Sequence, residues 1–298
     1  MEKTQSCATG AHILPRIEYV SEGETLYDFC LWEYKPLASC RKKFSAATLL
    51  FNSFEAANAN KKTYDLVHLI REGIGPSRTV WGTKLLGGDI KWEFYFYDYA
   101  RKARKRSATK ILDVIRPIIN CPTLVNENLE YFMFSLDITE EYVSGVRELD
   151  EVHLYVGNPG STVSSGICYS LIGEGTRLEN FYFFFDAQRE VNEIIAKARS
   201  SAYIDSQIHL DEILWPEMRN CKVIVIANKQ QNDSVYFSGV DVNQLLFFLK
   251  RLNYPREIVD FVESNKASLD HLQYDVGFDY RMANGRLSIL KSGYYGVF

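Results

Sequence analysis

A chain of 298 residues with 34 basic and 38 acidic side chains, formally −4 in charge, lacks the basic surplus of a typical nucleic-acid-binding domain. The six cysteines, Cys7, Cys30, Cys40, Cys121, Cys168 and Cys221, have no C-x-x-C spacing, so neither a zinc site nor a disulfide framework is indicated. Met1–Gly10 has no apolar h-region and no run reaches membrane-spanning length, so a reduced, cytoplasmic protein without a membrane partner is expected.

Residues 1–298 are read as one large domain able to bury a substantial core, with residues 1–60 the part whose role the pattern leaves open. Within that part Thr25–Leu37 is aromatic and Phe44–Asn58 has helical character. Tyr64–Glu72 reads as a helix, with Leu66, Leu69 and Ile70 at helical spacing and a stop at Gly73-x-Gly75-Pro76. A first strand pair follows, Thr79–Leu86 and Asp89–Tyr97, joined at Gly87-Gly88, whose freedom at positive φ suits a tight hairpin. Ser107 caps a helix with Ile111, Leu112, Ile115 and Ile119 on one face. The basic run from Arg101 to Arg106 ahead of it reads as a solvated loop.

The second pair is Leu129–Ile138 with Asp150–Val156, and the third is Ser165–Ile172 with Leu178–Phe185. Between them Gly157-Asn158-Pro159-Gly160 makes a turn rather than a helix. Asp186 is placed as the cap of an amphipathic helix carrying Val191, Ile194, Ile195 and Ala198. The fourth pair, Cys221–Ala227 with Ser234–Ser238, leads into Val242–Leu252 behind the cap Asp241, and Pro255 opens another helix. The fifth, Gln273–Met282 with Arg286–Phe298, turns at Asn284-Gly285, the strongest hairpin dipeptide.

Five successive antiparallel pairs, most linked by helices, are satisfied by one sheet whose ends join. The expected fold is α+β, a ten-stranded antiparallel barrel of five strand pairs surrounded by helices. Within it, His153-x-Tyr155, Asn180-x-Tyr182 and Ser234-x-Tyr236 repeat one spacing, and alternation puts both groups of each pair on one strand face. A wet, aromatic lumen is the consequence.

This architecture, together with Ile90-Lys91-Trp92-Glu93-Phe94-Tyr95-Phe96, Val235-Tyr236-Phe237-Ser238-Gly239 and the segment from Leu290 through Tyr294-Tyr295 to Phe298, resembles the ABBA (PT-barrel) aromatic prenyltransferases over roughly residues 60–298. The resemblance implies transfer of a dimethylallyl or longer prenyl group from its diphosphate to an aromatic, indole-like or phenolic acceptor. It implies Tyr155, Tyr182, Tyr236 and Tyr295 as shields of an allylic cation, and strand cations as diphosphate ligands. The chain departs from the family where a cation commonly precedes a shield tyrosine by two residues, since His153, Asn180 and Ser234 stand there. The remaining candidates for the diphosphate are Lys91, Lys222, Arg281 and Lys291, with Asn180 as a polar donor.

Glu93, on the face of Lys91, Tyr95 and Tyr97, is the candidate carboxylate for the acceptor's N–H or O–H, and His153 is placed to take a proton or donate to a phosphate oxygen. No cofactor is required on this reading, and the absence of a DDxxD motif leaves magnesium optional. Each residue also has a structural alternative. Glu93, beside Lys91 on its strand, is a cross-strand ion-pair participant on a wet face, the tyrosines pack, His153 is a structural histidine, and Arg281 and Lys291 lie at the surface. Taken together, those alternatives describe a noncatalytic barrel that binds an apolar or aromatic ligand.

Overall fold

The computed structural model describes residues 16–28, 32–100, 103–158, 164–173, 175–205 and 208–298. Met1–Gly10, Cys7, Cys30, Arg101, Lys102 and the Pro159-Gly160 half of the proposed turn lie outside them. The short strands β1 (Tyr27–Asp28) and β2 (Trp32–Glu33) form a small ribbon. Next come α1 (Ala47–Ala56) and α2 (Lys61–Ile74), the latter capped by the Asn60 side chain, which accepts from Lys62 N. The aromatic stretch Thr25–Leu37 thus holds the ribbon, and both helical readings of this region stand.

Ten strands then close a barrel: β3 (Val80–Leu86), β4 (Asp89–Tyr97), β5 (Tyr131–Ile138), β6 (Glu151–Gly157), β7 (Ser165–Ile172), β8 (Gly175–Asp186), β9 (Val223–Lys229), β10 (Asp233–Val240), β11 (Tyr274–Ala283) and β12 (Arg286–Val297). Each pairs antiparallel with its neighbour in sequence, and β12 pairs with β3 to complete the ring. The last strand therefore lies between β11 and β3, which leaves no free edge for another chain to extend. Asn284 and Gly285 both adopt positive φ, 54° and 72°, as the β11–β12 hairpin requires.

Alternation separates two environments. Trp81, Phe94, Phe134, Leu154, Ile226, Phe237, Phe278 and Tyr294 belong to the main apolar core outside the barrel. That core includes Leu50 and Phe54 of α1, Leu66 of α2, Ile111 of α3 (Ala108–Ile115), Ile194 of α5 (Val191–Arg199), Leu245 of α6 (Val242–Arg251) and Ile258 of α7 (Arg256–Ser264). A second, smaller cluster of Val80, Tyr97, Met133, Tyr155 and Cys168 lies inside. Between β5 and β6 there is only the five-residue α4 (Glu140–Ser144).

Side-chain caps mark several of the helix starts. Ser107 accepts from Lys110 N, and Asp241 with Gln244 forms a reciprocal capping box. Asp186 is a correction: its carboxylate takes the amides of Gln188 and Arg189 in a turn, while the cap position of α5 is Glu190, which makes no side-chain cap bond. Arg104 of the basic run is also not solvated, since its guanidinium lies 3.5 Å from the Tyr131 ring centre and 3.2 Å from Glu127. Among the described residues, no helix is long and apolar enough to cross a membrane.

Candidate functional site

The lumen opens into a cavity of about 740 Å³. Its wall carries Tyr95, Tyr155, Tyr182, Tyr236 and Tyr295. Their rings follow one another around the interior, with centres 5.9 Å apart for Tyr155–Tyr182, 6.4 Å for Tyr182–Tyr236, 6.3 Å for Tyr236–Tyr295 and 5.9 Å for Tyr95–Tyr295. The remaining gap is spanned by hydrogen bonds: Tyr95 Oη donates to Glu93 at 2.7 Å, Ser135 Oγ donates to the same carboxylate, and Ser135 Oγ lies 3.3 Å from Tyr155 Oη. The result is a girdle of five phenols. Burial raises the pKa of all five, so they stay neutral and keep their π faces.

Tyr295 of the girdle lies against two glycines, Gly82 on the neighbouring strand β3 and Gly293 on its own strand. A β-carbon at Gly82 would stand 2.6 Å from the Tyr295 ring, and one at Gly293 would meet the Tyr295 hydroxyl at 2.9 Å. The β11–β12 register runs unbroken from Asp275–Tyr295 to Asp279–Lys291, so Lys291 and Tyr295 share the inward face.

Beside the girdle the cavity wall is ionic. Lys84 pairs with Glu93 and lies 3.3 Å from Asp137. Lys229 Nζ contacts both oxygens of Asp279 at 2.9 Å, Ser234 Oγ donates to Asp279 at 2.7 Å, and Lys291 lies 3.5 Å away. His153 Nε2 is 3.4 Å from Glu151, and its buried Nδ1 has no partner among the described residues.

The electrostatics follow from burial and these neighbours. Burial pushes Glu93 up, yet the Lys84 ammonium and His153 outweigh it and hold the carboxyl well below its usual range. Asp279 is likewise pushed up by burial but held at about 2 by Lys229 and Lys291. Burial lowers His153, while its bond to Glu151 and the nearby Glu93 and Asp137 carboxylates raise it above the ordinary histidine value. Lys291 is lowered, first by the charge of Lys84, then by burial and Lys229. The Lys291 ammonium is therefore close enough to feel the charge of both Lys84 and Lys229.

Of the residues singled out in the sequence, Glu93, His153, Asn180, Lys291 and the four shield tyrosines all line this cavity. Asn180 donates to Tyr182 Oη at 3.0 Å. Three candidates fall elsewhere. Lys91 is exposed opposite Lys84, Lys222 is exposed and bonds to Gln273 2.5 Å away, and Arg281 is exposed beyond Asp279. Lys222 follows the outward parity of Ile224, which explains its placement.

Lys84 and Lys229 take their place. Both were readable: the two-residue turn at Gly87-Gly88 sets Lys84 opposite Lys91 and on the face of Glu93, and extending β9 two residues past Ala227 reaches Lys229. Lys229 pairs across strands with Asn180, and Lys291 with Asp279. Lys229 thus stands one strand over from Asn180, and Lys291 two strands over from Ser234.

No family model matches the chain. It is 23% identical over 310 residues to a JmjC domain-containing protein of Acanthamoeba polyphaga mimivirus, an alignment covering 91% of this chain and 49% of that relative. The chain spans about half the length of the curated relative it matches.

Proposed function

We propose that the lumen holds an isoprenoid diphosphate and transfers its prenyl group to a small aromatic acceptor. The observation that carries this reading is the adjacency, in one closed barrel, of a five-tyrosine girdle and three lysines on the same cavity wall, with Lys291 near enough to feel both Lys84 and Lys229. The lysines would take the diphosphate, and His153 would donate an N–H to one of its oxygens.

Departure of the diphosphate breaks the allylic C–O bond with the electron pair leaving on oxygen. The resulting cation is quenched by water unless π faces line its site, and neutral tyrosines provide them. The acceptor ring then supplies the electron pair of the new bond and loses a proton. Glu93, firmly ionised and held by Lys84, Tyr95 and Ser135, would accept a hydrogen bond from the acceptor's N–H or O–H and raise its nucleophilicity. An arenium proton is acidic enough for such a weakly basic carboxylate, or a diphosphate oxygen, to remove.

A second reading, a noncatalytic barrel for an apolar or aromatic ligand, is favoured by the pairing of each lysine with a carboxylate. Incubation with dimethylallyl diphosphate and a panel of indoles and phenols, read by mass spectrometry, separates the two. A product heavier by one prenyl unit supports the first; binding of the aromatics without product supports the second.

A further inference from the structure

The wall that would receive the diphosphate already holds an anion. Asp279 is 6% exposed, and both of its oxygens are within 2.9 Å of Lys229 Nζ. It also takes the Ser234 hydroxyl at 2.7 Å and faces Lys291 at 3.5 Å. Two lysines and a hydroxyl converging on two oxygens is the donor set a phosphoryl group uses. Lys84, by contrast, is engaged by Glu93 and Asp137.

We propose that Asp279 is the built-in competitor for the lumen lysines and sets the charge an incoming anion must carry. The inference rests on the reading of the lumen as a diphosphate chamber. An anion that draws Lys229 and Lys291 away leaves the Asp279 carboxylate buried with only Ser234 as donor, which is costly. A diphosphate, with more charge and more acceptor oxygens than one carboxylate, can offset that cost. Orthophosphate brings less of both. Asp279 therefore discriminates between them, and prevents small anions from occupying the chamber.

Calorimetric titration of the wild type and Asp279→Asn with inorganic pyrophosphate and with orthophosphate tests this. Asparagine keeps the volume and an acceptor for Ser234 but removes the competing charge. The variant is expected to bind pyrophosphate about tenfold more tightly and to gain measurable affinity for orthophosphate. Ser234→Ala, which leaves every charge in place but takes from Asp279 the one donor it would keep once the lysines are drawn away, should instead weaken pyrophosphate binding by about threefold. This second variant serves if Asp279→Asn does not fold. Unchanged or weakened pyrophosphate binding in folded Asp279→Asn, or unchanged or tightened binding in folded Ser234→Ala, while the wild type still binds a prenyl thiolodiphosphate, overturns the competitor role alone. If neither the wild type nor a folded variant binds pyrophosphate or the thiolodiphosphate, the diphosphate chamber falls with it.

Discussion

Gly277 lies directly beneath the Tyr236 ring, and a β-carbon there would stand 2.2 Å from Cδ1 of that ring. Gly277 sits in a regular strand without positive φ, so the requirement is for space and not for backbone freedom. Gly277→Ala should force Tyr236 away from the wall. A loss of about 1–3 kcal/mol in stability is expected from overpacking, read by denaturant unfolding, together with weaker binding of a prenyl ligand. An unshifted midpoint and unchanged binding would mean that the girdle does not depend on its glycine bed.

Shielding by Tyr236 is a property of the ring. Tyr236→Phe should therefore be mild, whereas Tyr236→Ala should cost turnover by at least about 30-fold, the equivalent of about 2 kcal/mol of desolvated cation–π attraction. Equal effects of the two substitutions on prenyl transfer would place the contribution in the hydroxyl instead.

Glu93 and Lys84 form a buried pair, so Glu93→Gln acts on folding as well as chemistry. It leaves the Lys84 ammonium with Asp137, half exposed at 45%, as its remaining carboxylate partner. A destabilisation of about 3–5 kcal/mol is expected. Replacing both residues, Lys84→Met with Glu93→Gln, should recover much of that loss. A double variant as unstable as the single one would show that the pairing is not what holds this part of the wall.

Two histidines, His271 and His153, should make stability depend on pH with opposite signs. Burial, with the charge of Lys43, lowers His271 to about 4, so the unfolded chain takes up its proton first as the pH falls. Its contribution is present above about 6.5 and is lost as the pH falls from there toward about 4. His153, raised by Glu151, Glu93 and Asp137 against the effect of burial, contributes stability below its unfolded value that disappears as the pH rises through its folded one. Unfolding free energies measured between pH 4 and 8 should slope less steeply in the acid limb for His271→Phe than for the wild type; parallel curves would contradict the assignment.

The barrel was legible because its evidence is local and repeated. Hairpin dipeptides such as Asn284-Gly285 fix turns, and the period of two marks each strand. The tyrosines were legible for the same reason, since His153-x-Tyr155 needs only alternation along one strand. Which cations line the lumen was less so, because it depends on which parity faces inward and on where each strand ends. Lys222 was misplaced by the first of these, and Lys229 was missed by the second. The Asp279 contacts lie further from sequence still. They join β9, β10, β11 and β12, and a bulge between Asp279 and Tyr280 shifts the register there. Asp186 was assigned to the wrong motif because a carboxylate before a helix serves a preceding turn as readily as a cap.

The central claim is that the girdle and the lysines together hold a prenyl diphosphate. Calorimetric titration with the nonreactive thiolodiphosphate analogue of dimethylallyl diphosphate, with and without magnesium, tests it most directly. Micromolar binding, about −8 kcal/mol, that is lost in Lys229→Met with Lys291→Met is the predicted result. No binding in either condition, or binding that survives removal of both lysines, would contradict the claim.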